Sequence, residues 1–291
     1  MKKFLSLFCC AIIEISLLSM ATACGKNPAT SSPTTDPSAA LTDTPEDLCD
    51  MTEGTFTTSK GQNIFGALVL PKDRKEDEKL PTIVMCHGYG SSYTQPRDKA
   101  YYFASEGFAC YAFDFCGGGG ESKSDGDFNS TMTIDTEVDD LEEVIAYLSE
   151  MPFVDTNKIF LYGESQGGFI SIIEASKYPD KFAGLMLFYP GISIPKSAHE
   201  GNALTKRENY VASCEQYYGK EDEMMKACKM PVMLLHGDAD TMVDVSYSQH
   251  AVQVFPNAKL IVVKKGGHGM TRKTLKKYYP ELFAFLKEAA K

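Results

Sequence analysis

Short apolar runs alternate with amphipathic stretches along most of this chain. Two early runs, 55–59 and 64–70, flank the polar residues Lys60-Gly61-Gln62-Asn63, a pattern typical of a β-hairpin. Later runs that are apolar throughout recur at 82–86, 109–115, 159–162, 184–188, 232–235 and 260–263. Strands that are apolar on both faces are typical of parallel sheets covered by helices. The pattern therefore predicts an α/β fold with a mostly parallel, doubly wound sheet.

The clearest predicted helix spans 134–148, where apolar residues recur at helical spacing. Its apolar face comprises Ile134, Val138, Leu141, Val144, Ile145 and Leu148. Its other face carries the acidic residues Glu137, Asp139, Asp140, Glu142 and Glu143. We interpret these acids as a solvated helix face and not as a metal site.

The N-terminus has the pattern of an export signal, since Met1-Lys2-Lys3 precedes an apolar stretch and the small-residue run Ala21-Thr22-Ala23-Cys24-Gly25. Glu14 interrupts the apolar stretch, which disfavours a retained transmembrane helix. Small residues before a cysteine resemble a bacterial lipobox, so we expect a signal peptide over 1–24 and lipidation of Cys24. Ordinary cleavage near Ala23 is the alternative. Lipidation of Cys24 predicts a cell-surface lipoprotein anchored to the membrane, whereas ordinary cleavage predicts a secreted protein. Both predict a location outside the cytoplasm.

Residues 25–50 are rich in Pro, Ser, Thr and Ala, which predicts a flexible tether because such a segment buries too little apolar surface to fold. Residues 51–291 are then one folded domain. The formal net charge is −10, and no stripe of Lys and Arg is present. This charge argues against nucleic acid as a partner and favours a neutral or weakly charged small molecule.

The spacing of the six cysteines that follow Cys24 is not that of a compact disulfide framework, although export would permit disulfides. They are Cys49, Cys86, Cys110, Cys116, Cys214 and Cys228. We expect most of them to be small buried hydrophobic residues, and Cys214 with Cys228 to be the first pair to test. No pattern of metal ligands occurs, and we expect neither a metal nor an organic cofactor.

A serine lies at the centre of Gly163-Glu164-Ser165-Gln166-Gly167, between the predicted strand 158–162 and the helical stretch 169–175. A sharp turn from strand to helix exposes the hydroxyl of the serine at its centre. The backbone is crowded two residues before and two residues after this serine, so both positions require glycine. The pattern predicts that Ser165 is a nucleophile. The alternative is a glycine-rich turn with a capping serine.

A serine nucleophile needs an imidazole base and a carboxylate that orients the imidazole. His268 follows both Ser165 and a strand-end acid, which gives the chain order Ser, Asp, His expected for such a turn. Of the two acids after 232–235, we prefer Asp240, because Asp238 is better placed to cap the loop itself. We expect His236 to be a structural residue.

The segment 86–91 ends another buried strand in a glycine-bearing turn, which suits an oxyanion hole. The expected donors are the backbone N–H groups of Tyr89 and Gln166, since Gln166 directly follows the nucleophile. His87 is expected to fix the turn. Cys86 is not expected to be a nucleophile, because it closes a buried strand.

With these residues identified, the chain from about residue 55 onward resembles bacterial feruloyl (cinnamoyl) esterases and serine aminopeptidase-like members of the α/β-hydrolase superfamily. The resemblance rests on motifs at 87–90, 114–122, 163–168, 236–240 and 267–269. Within 114–122 this chain has a glycine where that family usually has a histidine. The resemblance implies the α/β-hydrolase fold with a small cap insertion at 190–230. It also implies a serine esterase acting through an acyl-enzyme on feruloyl, cinnamoyl or acetyl esters of plant polysaccharide, or on related small esters.

Three tyrosines of the cap insertion, Tyr210, Tyr217 and Tyr218, are candidates for lining an acyl pocket, although aromatic residues in a small cap also pack it onto the domain. Two other functions stay open at this point. One is a serine peptidase of the aminopeptidase-like group, since the same triad cleaves amides. The other is a non-catalytic surface lipoprotein on the same scaffold.

Overall fold

The computed structural model describes residues 44–291. The predicted signal peptide, the lipidation residue Cys24 and most of the tether lie outside the described residues. The first strand begins at Cys49, whose side chain is buried, so the folded domain begins slightly before residue 51. Among the described helices, none is both long enough and apolar enough to cross a bilayer.

Eight strands within the described residues form one sheet. They are β1 (Cys49–Thr57), β2 (Asn63–Pro71), β3 (Leu80–Cys86), β4 (Ala109–Phe113), β5 (Val154–Glu164), β6 (Gly184–Phe188), β7 (Val232–Gly237) and β8 (Ala258–Val263). Their order across the sheet is β1-β2-β4-β3-β5-β6-β7-β8. Strand β2 pairs antiparallel with β1 and β4, and the other neighbouring strands are parallel. The mostly parallel α/β sheet predicted from the apolar runs is confirmed.

The helices cover both faces of this sheet. Those in the described part of the chain are α1 (Thr94–Ala104), α2 (Ile134–Ser149), α3 (Gln166–Lys177), α4 (Ile194–His199), α5 (Glu208–Glu215), α6 (Glu221–Ala227), α7 (Ser246–Val254), α8 (Arg272–Leu275) and α9 (Tyr279–Ala289). Leu141 of α2 and Ile172 of α3 belong to the apolar layer on one face, and Phe103 of α1 and Leu286 of α9 to the layer on the other. The central strands are buried on both faces, which explains their apolar sequences.

The parallel register brings the carboxyl ends of four strands to one edge of the sheet. Cys86 of β3 pairs with Gly163 of β5, and Glu164 pairs with Phe188 of β6. Phe188 in turn pairs with Leu235 of β7. The loops after these strands therefore converge, and in such sheets ligands bind outside this edge.

Helix α2 forms where it was predicted, but two of its acids are buried. Asp140 accepts a 2.6 Å hydrogen bond from the Cys116 backbone N–H, and Glu137 accepts one of 2.7 Å from the Gln166 side chain. A buried carboxyl group is tolerated where it has such a partner. The prediction that all acids of this helix are solvated is therefore wrong for these two, and it holds for Asp139, Glu142 and Glu143.

The six cysteines of the described region are all free and buried. The Cys214–Cys228 disulfide considered above is not formed. The Cys228 thiol lies 3.3 Å from the Met224 carbonyl oxygen instead. Burial raises the pKa of both thiols to about 12. These residues therefore act as small apolar side chains, as expected for most of the set.

Candidate active site

Ser165 occupies the single residue between the end of β5 and the start of α3. Its backbone has φ 51° and ψ −118°, a conformation that side-chain-bearing residues rarely adopt. A Cβ atom at Gly163 would lie 2.3 Å from the Gly167 carbonyl oxygen, and a Cβ atom at Gly167 would lie 2.4 Å from the His87 carbonyl oxygen. Only glycine fits at these two positions, and the bend directs the Ser165 side chain into a cavity.

Three side chains from distant parts of the chain form a continuous hydrogen-bond series. The Ser165 hydroxyl lies 3.0 Å from His268 Nε2, and His268 Nδ1 lies 2.8 Å from Asp240 Oδ2. Asp240 also accepts hydrogen bonds from the Met242 and Val243 backbone N–H groups. Burial by itself would raise the pKa of Asp240, but the Val243 amide, the His268 imidazole and the Met242 amide together lower it. Asp240 is therefore a stable anion that holds His268 with Nδ1 protonated and Nε2 facing the serine.

Two residues close to Asp240 in sequence, Asp238 and His236, have structural roles. Asp238 lies outside the hydrogen-bond series, accepts a 2.5 Å hydrogen bond from the Lys265 backbone N–H, and caps the loop that carries His268. His236 is buried behind Asp240, with Nδ1 2.7 Å from the Ser248 hydroxyl and Nε2 3.2 Å from Asp240 Oδ2. Burial lowers the pKa of His236. It therefore supports Asp240 from behind as a neutral side chain.

A buried polar cluster beneath the imidazole has no counterpart in the sequence predictions. Tyr189 has φ 39°, and its ring packs edge-on against the His268 ring with centroids 4.7 Å apart. Its hydroxyl donates a hydrogen bond to Glu164, whose other carboxylate oxygen lies 2.8 Å from Lys99 Nζ and 2.7 Å from the Tyr162 hydroxyl. This cluster joins α1, β5 and the end of β6 under the site. The only sequence signal for it is a glutamate at a fully buried strand end.

The turn after β3 lies beside Ser165. The buried His87 accepts a hydrogen bond from the Phe115 backbone N–H, and its other ring nitrogen donates to the Gly88 carbonyl oxygen. Burial lowers the pKa of His87 to about 4, so it is a neutral residue that fixes the turn. Within residues 44–291, the backbone N–H groups of Tyr89 and Gln166 donate no hydrogen bond. Both amides are therefore free for a ligand oxygen.

A cavity of about 320 Å³ opens above Ser165 and His268. Its lining is apolar or uncharged apart from the imidazole and comprises Gly88, Tyr89, Gln95, Ser165, Ser193, Ile194, Ser197, Asn202, Ala203, Leu204, Tyr210, Met242, Val243 and His268. The cap contributes through α4, α5 and the loop between them. The residues from this loop and from the segment after Asp240 were not identified from the sequence, because nothing in their pattern distinguishes them from surface positions.

The prediction that three cap tyrosines line an acyl pocket is wrong for two of them. Tyr210 on α5 borders the cavity. Tyr217 and Tyr218 do not border it: Tyr217 packs its ring against Phe169 of α3, and Tyr218 is 43% exposed and stacks on His199. Both lie beyond the end of α5.

Glu137 is buried next to this site, although sequence reasoning placed it on the surface. Burial raises its pKa to about 8, and the charge of Asp140 acts in the same direction. The Gln166 hydrogen bond and the Arg207 charge act against this rise without cancelling it. Glu137 therefore holds its proton at neutral pH.

Comparison with known proteins finds similarity to hydrolases over part of this chain. A family model described as serine aminopeptidase, S33, matches residues 77–215. Protein bem46 of Schizosaccharomyces pombe is 31% identical over 108 residues, which are 36% of this chain and only 34% of the yeast protein.

Two solved structures are similar over most of the chain. Est1E from Butyrivibrio proteoclasticus with bound ferulic acid has a TM-score of 0.72 at 22% identity, covering 81% of this chain and 98% of its own. The esterase Pf2001 from Pyrococcus furiosus has a TM-score of 0.63 at 23% identity, covering 85% and 96%. At these identities the likeness establishes a shared fold.

We expect the Glu137→Gln variant to lose part of the pH dependence of stability. Because the pKa of Glu137 rises from 4.5 to about 8 on folding, the folded chain holds this proton more tightly than the unfolded chain. The stability gained in this way is complete below about pH 4.5 and is lost as the pH rises to about 8. As the pH rises across this range, the melting temperature of the wild type should therefore fall relative to that of the variant. Melting curves that keep a constant separation would contradict the buried titration.

Proposed function

We propose that this chain, which shares the fold of Est1E and of the esterase Pf2001, is a serine carboxylic-ester hydrolase. The observation that carries the proposal is the series of hydrogen bonds from Ser165 through His268 to Asp240, at 3.0 and 2.8 Å. Ser165 is the nucleophile, His268 the general base and Asp240 the orienting acid. A base within hydrogen-bond distance of an exposed hydroxyl is the geometry that acyl transfer requires.

The reaction proceeds through two acyl transfers. Ser165 Oγ attacks the ester carbonyl carbon while His268 Nε2 takes the hydroxyl proton. The tetrahedral intermediate then expels the alcohol, which takes that proton from His268 as it leaves. Water attacks the acyl-enzyme with the same base, and the carboxylic acid departs while Ser165 recovers its proton.

The negative oxygen of each intermediate binds at the free backbone N–H groups of Tyr89 and Gln166. Gln166 is the first residue of α3, so the positive end of the helix dipole adds to its N–H. Loss of one such donor typically costs about 3 kcal/mol of transition-state stabilisation. These two amides are therefore the proposed oxyanion hole.

The cavity supports an ester with an uncharged acyl group as substrate. An aminopeptidase must bind a positively charged α-amino group, which calls for a carboxylate near the scissile bond. No acidic side chain lines the cavity as far as residues 44–291 define it. The volume of about 320 Å³ and the walls formed by Tyr89, Ile194 and Leu204 suit an aromatic or short aliphatic acyl group. We therefore propose feruloyl, cinnamoyl or acetyl esters of plant polysaccharide, or related small esters, in keeping with the likeness to Est1E.

Export also belongs to the proposal. The charge pattern of the first residues and the small residues before Cys24 support cleavage of a signal peptide and lipidation of that cysteine. The enzyme then acts outside the cytoplasm from a membrane-anchored tether, where polysaccharide-linked esters are accessible.

Replacing Ser165 with Ala should abolish release of p-nitrophenol from p-nitrophenyl acetate, with kcat/KM falling by about 10⁴-fold or more. Ser176→Ala, farther along the same helix, is the matched control and should keep full activity. Turnover by Ser165→Ala at the rate of the control would overturn the proposal.

The substrate class is tested on the purified protein with methyl ferulate, acetylated xylan and an aminoacyl anilide. We expect hydrolysis of at least one ester with a kcat/KM well above that for the anilide, because the cavity offers no carboxylate to the amino group. Preferential cleavage of the anilide would instead establish a peptidase.

Cys24→Ala should abolish incorporation of an alkyne-labelled fatty acid when the full chain is expressed in bacteria. The lipid attaches to the thiol of this residue, so no other cysteine can replace it. Cys10→Ala, within the predicted apolar stretch, is the control and should keep the label. Equal labelling of both variants would contradict the lipobox assignment.

A further inference from the structure

We propose that Tyr210 and Glu137 position the oxyanion hole by clamping the side chain of Gln166. The inference rests on the proposed function, since it assigns a role to residues around the same two backbone amides. Neither Tyr210 nor Glu137 touches the reacting atoms, so both are positioning residues.

The clamp consists of two hydrogen bonds to one buried amide side chain. The Tyr210 hydroxyl donates to Gln166 Oε1 at 2.7 Å, and Gln166 Nε2 donates to Glu137 at 2.7 Å. Each end of the Gln166 amide therefore has its own partner, one on the cap helix α5 and one on α2. These two hydrogen bonds restrict rotation of the side chain and so help to hold the backbone N–H of the same residue in place.

Tyr210 also contacts the other proposed donor residue. Its ring packs edge-on against the Tyr89 ring with centroids 5.5 Å apart, and Tyr89 packs in the same manner against Phe128 at 5.3 Å. Arg207 lies over the faces of both Tyr210 and Phe128. One cap side chain thus bridges the two residues whose amides would bind the oxyanion.

The burial of Tyr210 distinguishes positioning from substrate binding. Its exposed fraction is 0%, although its ring borders the cavity. Its hydroxyl is already bonded to Gln166 and is not free to meet a substrate. Tyr210 therefore acts on the reaction through Gln166 and Tyr89.

Packing alone does not explain these polar groups. Phenylalanine would fill the Tyr210 position and leucine the Gln166 position without burying an amide, a hydroxyl and a carboxyl group. Burying polar groups costs free energy unless they are hydrogen-bonded, and here Gln166 is bonded to both of the others. What the network adds is a defined position for the first residue of α3, beside the strained backbone of Ser165.

A small displacement of an oxyanion donor affects the transition state more than the bound substrate. The donors act on the position that the oxyanion takes and not on the ground-state carbonyl oxygen. Loosening the clamp should therefore lower kcat and leave KM nearly unchanged.

The test compares Tyr210→Phe with wild type in p-nitrophenyl acetate hydrolysis and in binding of a phenyl-substituted trifluoromethyl ketone. This ketone forms a reversible hemiketal with serine and places an oxyanion in the hole. We expect kcat to fall about tenfold, and ketone affinity to fall by a similar factor, since one mispositioned donor costs less than a lost one. Tyr217→Phe, whose hydroxyl faces Asp135, is the matched control and should match wild type.

A pair of variants at Glu137 provides the second arm. Glu137→Gln keeps an oxygen that accepts from Gln166 and should retain wild-type kcat at neutral pH. Glu137→Leu removes the acceptor and should reproduce the loss of kcat and of ketone affinity seen for Tyr210→Phe.

Two results separate this inference from the proposed function. A Tyr210→Phe enzyme with wild-type kcat and wild-type ketone affinity would overturn the clamp and leave the esterase assignment intact. Absence of esterase activity in the wild type would overturn the proposed function and the clamp with it.

Discussion

The site depends on a steric constraint where β5 meets α3. Neither Gly163 nor Gly167 has room for a Cβ atom, so the strand and the helix approach more closely than any other pair of residues would permit. Ser165 accommodates this approach with a positive φ angle and points its hydroxyl outward. The same turn leaves the N–H of Gln166 without a partner within the described chain. One backbone bend thus supplies both the proposed nucleophile and a proposed oxyanion donor.

The parallel sheet supplies the remaining groups. Because β3, β5, β6 and β7 end at the same edge, the segments that follow them bring Tyr89, Tyr189 and Asp240 around Ser165. His268, the proposed base, comes from the loop after β8 and is held between Asp240 and the ring of Tyr189. Behind these residues lie buried polar groups that are paired with one another, Lys99 with Glu164 and Glu137 with Gln166. Fixed and paired supports of this kind keep reacting groups in place without reorganisation during the reaction.

Local patterns in the sequence predicted the parallel sheet, helix α2, the bend at Ser165 and the choice of Asp240 over Asp238 as the neighbour of His268. Each of these follows from spacing, chain order or a glycine requirement. The buried acids of α2 could not be predicted, because the burial of Asp140 depends on the Cys116 amide from a separate loop. The tyrosines of the cap could not be separated either, since the tertiary packing of the cap decides which of them borders the cavity. Sequence therefore identified the proposed reacting groups better than the side chains that support them.

The most direct test of the central claim is to treat the protein with a fluorophosphonate and to locate the adduct by mass spectrometry of its peptides. Such reagents phosphonylate a serine only where a neighbouring base activates its hydroxyl. The geometry predicts one adduct per chain, located on Ser165, and a much slower reaction after His268→Ala. An unmodified protein, or an adduct on a different residue, would contradict an activated hydroxyl at the strand-to-helix bend.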